Sequence, residues 1–257
     1  MRPSGLINGL LALKEKDMAY QNYLNLKDEE LDKPIYRIMP VSRLLQCFEE
    51  KQLVLVPPIK WDDPFENWLL SSRVKLSSTG ELGDMESIRN RVYGQCWTQH
   101  RETDAMWRIY SADTNGAKVR TTPRKLLEAL KADAPNISDV TCFIGKVKYQ
   151  TQDKLVNSLK SINLFNTNGS GVAESLLYKR REFSHEKEVR IVYTEGSGAI
   201  HPFSIDPHTI FDEVVFDPRV DKHLYGAYKT AVVAKGFPGR VAQSVLYKPP
   251  KELLIRM

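Results

Sequence analysis

The chain has 257 residues, a net charge of +5 and an ordinary globular composition, 42% hydrophobic and 27% charged. That is enough to bury a substantial core, in one large domain or two small ones, without disulfide or metal staples. The mildly basic balance suits a polyanionic partner as well as it suits a metabolic enzyme, and it selects neither.

Residues 1–30 read as a helical N-terminal extension, with Leu6, Leu10, Leu11 and Leu13 ahead of mixed polar and charged residues. Ile35-Tyr36-Arg37-Ile38-Met39 follows Pro34 and predicts a first strand. Leu44, Leu45 and Phe48 give 41–52 a helical spacing with Ser42 as cap. A second strand over 53–56 stops at Pro57-Pro58. Trp61-Asp62-Asp63-Pro64-Phe65-Glu66 predicts a turn with two buried apolar anchors, its aspartate binding backbone amides. A strand is expected over 68–76, a loop over 77–84 and a strand over 92–98. A short helix over 103–111 puts Met106, Trp107 and Tyr110 on one face. Asp113-Thr114-Asn115-Gly116 is a turn before a strand over 117–121, and Pro123 opens a helix over 124–131. Next come a strand over 143–149, a polar helix, a loop over 163–171 read as a mobile lid, and a helix over 172–180. Strands over 200–205, 213–216 and 241–246 and a helix over 221–234 complete the chain. Without evenly spaced βαβ units the fold class is α+β. We expect a single catalytic-type domain over 31–257, with a mixed central sheet and flanking helices.

Several classes are disfavoured. The apolar stretch 6–13 is interrupted and too short to span a bilayer, so no membrane partner is expected. Cys47, Cys96 and Cys142 lie far apart with no CxxC pair, which argues for a reducing compartment and against a cysteine-built zinc site. The expected location is cytoplasmic. There is no GxxxxGK[ST] loop, no GxGxxG after a strand, no HExxH and no GxSxG. The five histidines show no close metal-ligand spacing, and no resident metal is expected.

The most informative stretch is His185-Glu186-Lys187-Glu188-Val189-Arg190-Ile191-Val192. Read as a strand, it puts Glu186, Glu188 and Arg190 on one face, and Val189 and Ile191 on the other. Two carboxylates and a guanidinium this close shift one another's pKa, as in many functional sites. A structural ion pair at a sheet edge is the other reading. Just before it, Lys179-Arg180-Arg181 reads as a solvated turn or a phosphate contact, with Lys179 and Glu182 solvated. Trp61, Phe65, Trp97 and Trp107 read as core more than as ligand contacts. Arg37 could equally pair with Glu66 or Glu188 to satisfy a buried charge.

Tyr36-Arg37, Trp61-Asp62-Asp63-Pro64-Phe65-Glu66, Cys96-Trp97 with Met106-Trp107 and Tyr110, and Phe183 to Arg190 occur in that order. Together they resemble the bacterial family catalogued as domain of unknown function 2971, over about residues 34–218. Gly116 and Lys179 also fit its pattern. More loosely, the chain is similar to ADP-ribosyltransferases. These bind NAD with an arginine or histidine on the first strand, aromatic residues around the nicotinamide, and a late-strand glutamate often ending an ExE pair. Here Arg37, the aromatic set and Glu186-Lys187-Glu188 stand in that order, while Cys96-Trp97-Thr98 replaces the Ser-Thr-Ser motif of the middle strand.

That similarity implies an ADP-ribosyltransferase-like fold and NAD as substrate. Glu188 would oppose the developing ribose cation, and Glu186 would orient or deprotonate the acceptor. Arg37 would hold the pyrophosphate, with Tyr36 beside it, and Trp107 or Tyr110 would stack on a flat ring. It implies a toxin or phage-defence effector whose acceptor is a macromolecule, nucleic acid or protein, with an antitoxin or chaperone as further partner. Two other readings stand beside it. One is a nuclease in which Asp63, Glu66, Glu186 and Glu188 hold Mg²⁺. The other is a noncatalytic interaction domain of a defence or toxin–antitoxin system.

Overall fold

The computed structural model describes residues 22–61, 63–75 and 80–249. Its strands, in chain order, begin with β1 (Tyr23–Leu24), β2 (Ile35–Pro40), β3 (Gln52–Leu55), β4 (Val74–Lys75), β5 (Leu82–Gly83), β6 (Tyr93–Thr98) and β7 (Gly116–Thr121). They continue with β8 (Cys142–Lys146), β9 (Lys148–Gln150), β10 (Tyr178–Arg180), β11 (Glu188–Tyr193), β12 (His201–Ser204), β13 (Glu213–Phe216) and β14 (Arg240–Gln243). The α+β class holds, with mixed strand pairing and flanking helices. Among the described residues no helix is long and apolar enough to cross a membrane.

Contacts gather the chain into two units, the first Met1–Lys33, Leu53–Gln99 and Thr122–Ser204, the second Pro34–Gln52, His100–Thr121 and Ile205–Met257. In the first unit the strands run β1-β8-β11-β6. β1 is parallel to β8, whereas β11 is antiparallel to both β8 and β6. All six residues of β11 are buried because it is flanked on both sides and covered on both faces. Helix Pro123–Asp133 covers the Val189–Ile191 face, where the Leu130 carbonyl accepts from Cys142 Sγ on β8. The other face carries a core of Leu70, Met85, Val92, Phe143, Leu176 and Val192. At Gly94 of β6 a Cβ would stand 2.8 Å from the Trp61 ring, so glycine there lets the indole lie flat on the sheet.

In the second unit the strands run β2-β7-β13-β14, with the first two pairs antiparallel and the last parallel. Helices Val41–Glu50, Asp104–Tyr110 and Lys222–Ala234 accompany them. Thr103 and Asp221 cap the last two through side-chain acceptors, as Ser/Thr and Asp do at helix starts. The first begins differently from expectation. Pro40 is its N-cap residue and Ser42 lies inside it.

Other expectations need correction. Of the 1–30 extension, residues 1–21 lie outside the described residues, while Tyr23 and Leu24 pair with Ile144 and Gly145. The strand expected over 143–149 is two, because the chain breaks at Val147 and β9 turns to pair with β10. The helix expected over 172–180 ends at Ser175, since Tyr178–Arg180 are claimed by that parallel pairing. Of the strand expected over 68–76, the described residues 68–75 form a 3-10 turn, Leu69–Ser71, and the two-residue β4. The loop expected over 163–171 gives way at Ser170 to the helix Ser170–Ser175. Asn166 donates to Ser170 Oγ at 2.8 Å and accepts from the Gly171 amide at 3.1 Å, and Leu164 packs on the core.

Candidate active site

Glu188 opens β11, but Glu186 is not on that strand. It ends a 3-10 turn, Arg181–Glu186, and Lys187 between them adopts φ 43° in the left-handed region. The turn folds Glu186 back over Glu188, so the two carboxyls meet through a kink, not through strand alternation. Glu66 arrives from the 3-10 turn Pro64–Asn67, which Asp63 caps by accepting from the Phe65 amide at 3.1 Å. The expected role of that aspartate is therefore present.

The cation at the centre is one that the sequence reading placed in solvent. Lys179, on β10, is buried, and its Nζ lies 2.7 Å from Glu66 Oε1 and 2.6 Å from Glu188 Oε1. It also hydrogen-bonds Glu186. Arg190 is fully enclosed: Nε binds Glu188 Oε2 at 2.7 Å, Nη1 donates to the Leu176 carbonyl at 2.6 Å, and Nη2 stands 3.1 Å from Glu66. The Trp61 ring covers the guanidinium, 4.6 Å from its centroid. Tyr149 reaches in from β9, its hydroxyl accepting from the Glu188 amide at 2.8 Å. Arg180 turns outward to Asp63 at 3.1 Å and lies over Phe65 and Phe183. Trp61 and Phe65 are therefore half-buried covers over cations, not the buried anchors expected.

Position sets the protonation of these groups. Burial alone would raise Glu188, but Arg190, the hydrogen bond from Glu186 and Lys179 outweigh it and hold the carboxyl well below its usual range. Burial and the hydrogen bond to Glu188 push Glu186 up to about 7. Burial would lower Lys179, yet the charges of Glu188 and Glu66 carry it above its ordinary value. One carboxyl is thus a fixed anion, and its neighbour titrates near neutrality. Cys96, opposite Arg190 on β6, is raised by burial and by the Glu188 charge, so it is a poor nucleophile.

The candidate NAD contacts belong to the second unit. Tyr36 and Trp107 are both buried and share a lysine: Lys118 Nζ is 5.4 Å from the Tyr36 centroid and 5.9 Å from that of Trp107. Trp107 is 0% exposed, with Nε1 donating to Glu102 Oε1 at 2.8 Å. Its ring is thus packed rather than offered for stacking. Tyr110, on the same helix, is 43% exposed. Arg37 is half-buried, and strand alternation turns it to the face of β2 opposite Tyr36 and Lys118. Tyr36 and Trp107 are brought together, and Arg37 is not part of their group. In the first unit, the cations against Glu66 and Glu188 are Lys179 and Arg190.

Sequence reasoning missed Lys179 as a member of the cluster, and it groups Glu66 with Glu186 and Glu188 only as a metal ligand. Lys179 had a signal, its place in the family pattern, but no local pattern reports that it is buried. The ammonium of Lys179 stands where the three carboxyls of Glu66, Glu186 and Glu188 converge. Among the described residues no group of three His, Cys, Asp or Glu is arranged to hold a metal.

Residues 106–191 match a family described as "Protein of unknown function (DUF2971)". That stretch takes in Lys179, Glu186 and Glu188 and bears out the resemblance read from the sequence. No curated protein matches the chain. Among solved structures, Thermus sp. 2.9 DarT in complex with carba-NAD+ aligns over 83% of this chain and 96% of its own, at 10% identity and TM-score 0.36. The complex with NAD+ aligns over the same shares at 11% identity and TM-score 0.37. DarT in complex with ADP-ribosylated ssDNA aligns over 83% of this chain and 94% of its own, at 10% and 0.38.

Proposed function

We propose that the chain is an NAD-dependent ADP-ribosyltransferase-like effector, of the toxin or phage-defence kind, that modifies a macromolecule, with nucleic acid the favoured acceptor. The observation that supports it most is the Glu186–Glu188 pair, two buried carboxyls whose surroundings hold one ionised and let the other titrate near neutrality. Cleaving the nicotinamide–ribose bond sends its electron pair out with neutral nicotinamide and leaves positive charge on the ribose. A preorganised anion such as Glu188 stabilises that charge more than the ground state. The acceptor's nucleophile then bonds to the anomeric carbon and gives up a proton. Glu186 suits that proton, because a base works best when its pKa lies near the working pH. Arg37 stays the candidate for the pyrophosphate through the resemblance alone, with Tyr36 beside it and the exposed Tyr110 for a ring.

The burial of all five charged groups favours a second reading, a noncatalytic interaction domain in which the cluster is a structural ion network. One assay separates the two. Purified protein is given NAD in the presence of chelator, and nicotinamide release is followed with label transfer to single-stranded DNA, RNA and protein. Transfer that falls on the order of 10²–10³-fold in Glu188→Gln, with the fold kept, supports the transferase. No NAD consumption by the wild type with any acceptor leaves the structural network.

A further inference from the structure

The buried cluster holds more acid than base. Glu66, Glu186 and Glu188 supply three carboxyls, while Lys179 and Arg190 supply two cations, all buried. Fully ionised, it would carry one uncompensated negative charge away from water, which is costly. A single added proton makes the group neutral.

Geometry decides where that proton goes. The ammonium of Lys179 has three N–H bonds and meets three carboxyls, so its donors are all used. Arg190 adds a second cation to Glu188 and stands beside Glu66. Glu186, by contrast, pairs with only one of the cluster's two cations, Lys179, while Glu66 and Glu188 each pair with both. The groups that face Glu186 are Lys179 from β10, Glu188 from β11 and Tyr149 from β9, while Glu66 and Arg190 join the cluster through Lys179 and Glu188.

We propose that Lys179 is a positioning residue, which ties Glu66, Glu186 and Glu188 into one proton-sharing group, keeps the spare proton on Glu186 and so leaves Glu188 the anion. The consequence for activity rests on the ADP-ribosyl transfer reading, while the location of the proton does not. Removing the lysine charge leaves the carboxyls opposed by Arg190 alone, so the proton is held more tightly. Removing the Glu66 charge makes the cluster neutral without it, so it is released more readily.

The test is an infrared titration of the protonated carboxyl band through neutrality on the full chain, with Glu186→Gln to assign the band. Lys179→Gln should move the midpoint up by about 1–3 pH units, the effect of losing an adjacent opposite charge. Glu66→Gln should move it down, and Lys179→Arg should bring it back toward the wild type. If Lys179→Gln fails to fold, Glu66→Gln decides alone. A midpoint that Glu66→Gln leaves in place, or a band that survives in Glu186→Gln, overturns the proposal. NAD turnover on the same samples keeps the two readings apart. Silent wild type with the expected titration removes only the transferase, and shifted activity without shifted titration removes only the role of Lys179.

Discussion

Two lysines, both buried and both on strands, have opposite electrostatics. Lys179 sits among three carboxyls and is raised above its ordinary pKa, although burial works against it. Lys118 has the Arg101 carbonyl at 2.7 Å, the faces of Tyr36 and Trp107, and Glu102 only at 4.0 Å, and burial pulls it down. Carbonyls and ring faces solvate an ammonium but do not neutralise it. Burial therefore wins at Lys118, and paired charge wins at Lys179. The first lysine organises a charged group; the second completes a packed aromatic one.

The sharpest break of this contrast is Lys179→Met. It leaves three carboxyls facing Arg190 alone and should cost about 3–5 kcal/mol, the usual loss when one partner of a buried ion pair is removed. Chemical denaturation at neutral pH measures it. A cost under about 1 kcal/mol would mean that the cluster is open to water.

Glu186→Gln tests the same cluster through pH. A carboxyl raised to about 7 in the folded state, against an ordinary value of 4.5, stabilises the fold fully below 4.5 and loses that contribution as pH rises to about 7. Glutamine mimics the protonated form at every pH. The variant should match the wild type near pH 4.5 and exceed it above pH 7, by about 3 kcal/mol at most. Glu188 has the opposite slope, since its carboxyl is depressed and its contribution disappears only as pH falls below the unfolded value. Acid unfolding should therefore persist in Glu186→Gln. Melting curves across pH that stay parallel for the two proteins would contradict the assignment.

Gly94→Ala probes the cover. The new Cβ would meet the Trp61 ring at 2.8 Å and push it off the Arg190 guanidinium, at about 1–3 kcal/mol for overpacking. Tryptophan fluorescence should shift with the melting temperature, and an unchanged spectrum would show that the ring accommodates the methyl without moving.

Lys118→Met should be the mildest. It exchanges one hydrogen bond and a cation–π contact for an apolar chain among rings, a change of about 0.5–1.5 kcal/mol. If it proves as damaging as Lys179→Met, the contrast between the two lysines fails.

Much of the local structure was legible. Residues 213–216 read as a strand and are one, because Val214, Val215 and Phe216 suit a strand buried on both faces. The helices read over 103–111 and 221–234 are present, and Thr103 and Asp221 cap them through nearby amides. Glu188 and Arg190 were placed on one face by alternation, and the Nε–carboxylate contact follows directly from it. Each of these rests on interactions within a few residues of chain.

Tertiary structure decided the rest. Residues 176–180 fit either period, and only pairing with β9 made 178–180 a strand. That pairing turned Lys179 inward to meet Glu66, a residue from a distant turn, and so converted an apparent solvated lysine into the hub of the cluster. Glu186 met Glu188 because Lys187 took a left-handed conformation that alternation cannot announce. Periodicity reports which side chains share a face, but it does not say what packs against that face. Whether a charge is solvated or neutralised depends on groups brought in from elsewhere in the chain, and only the folded structure supplies them.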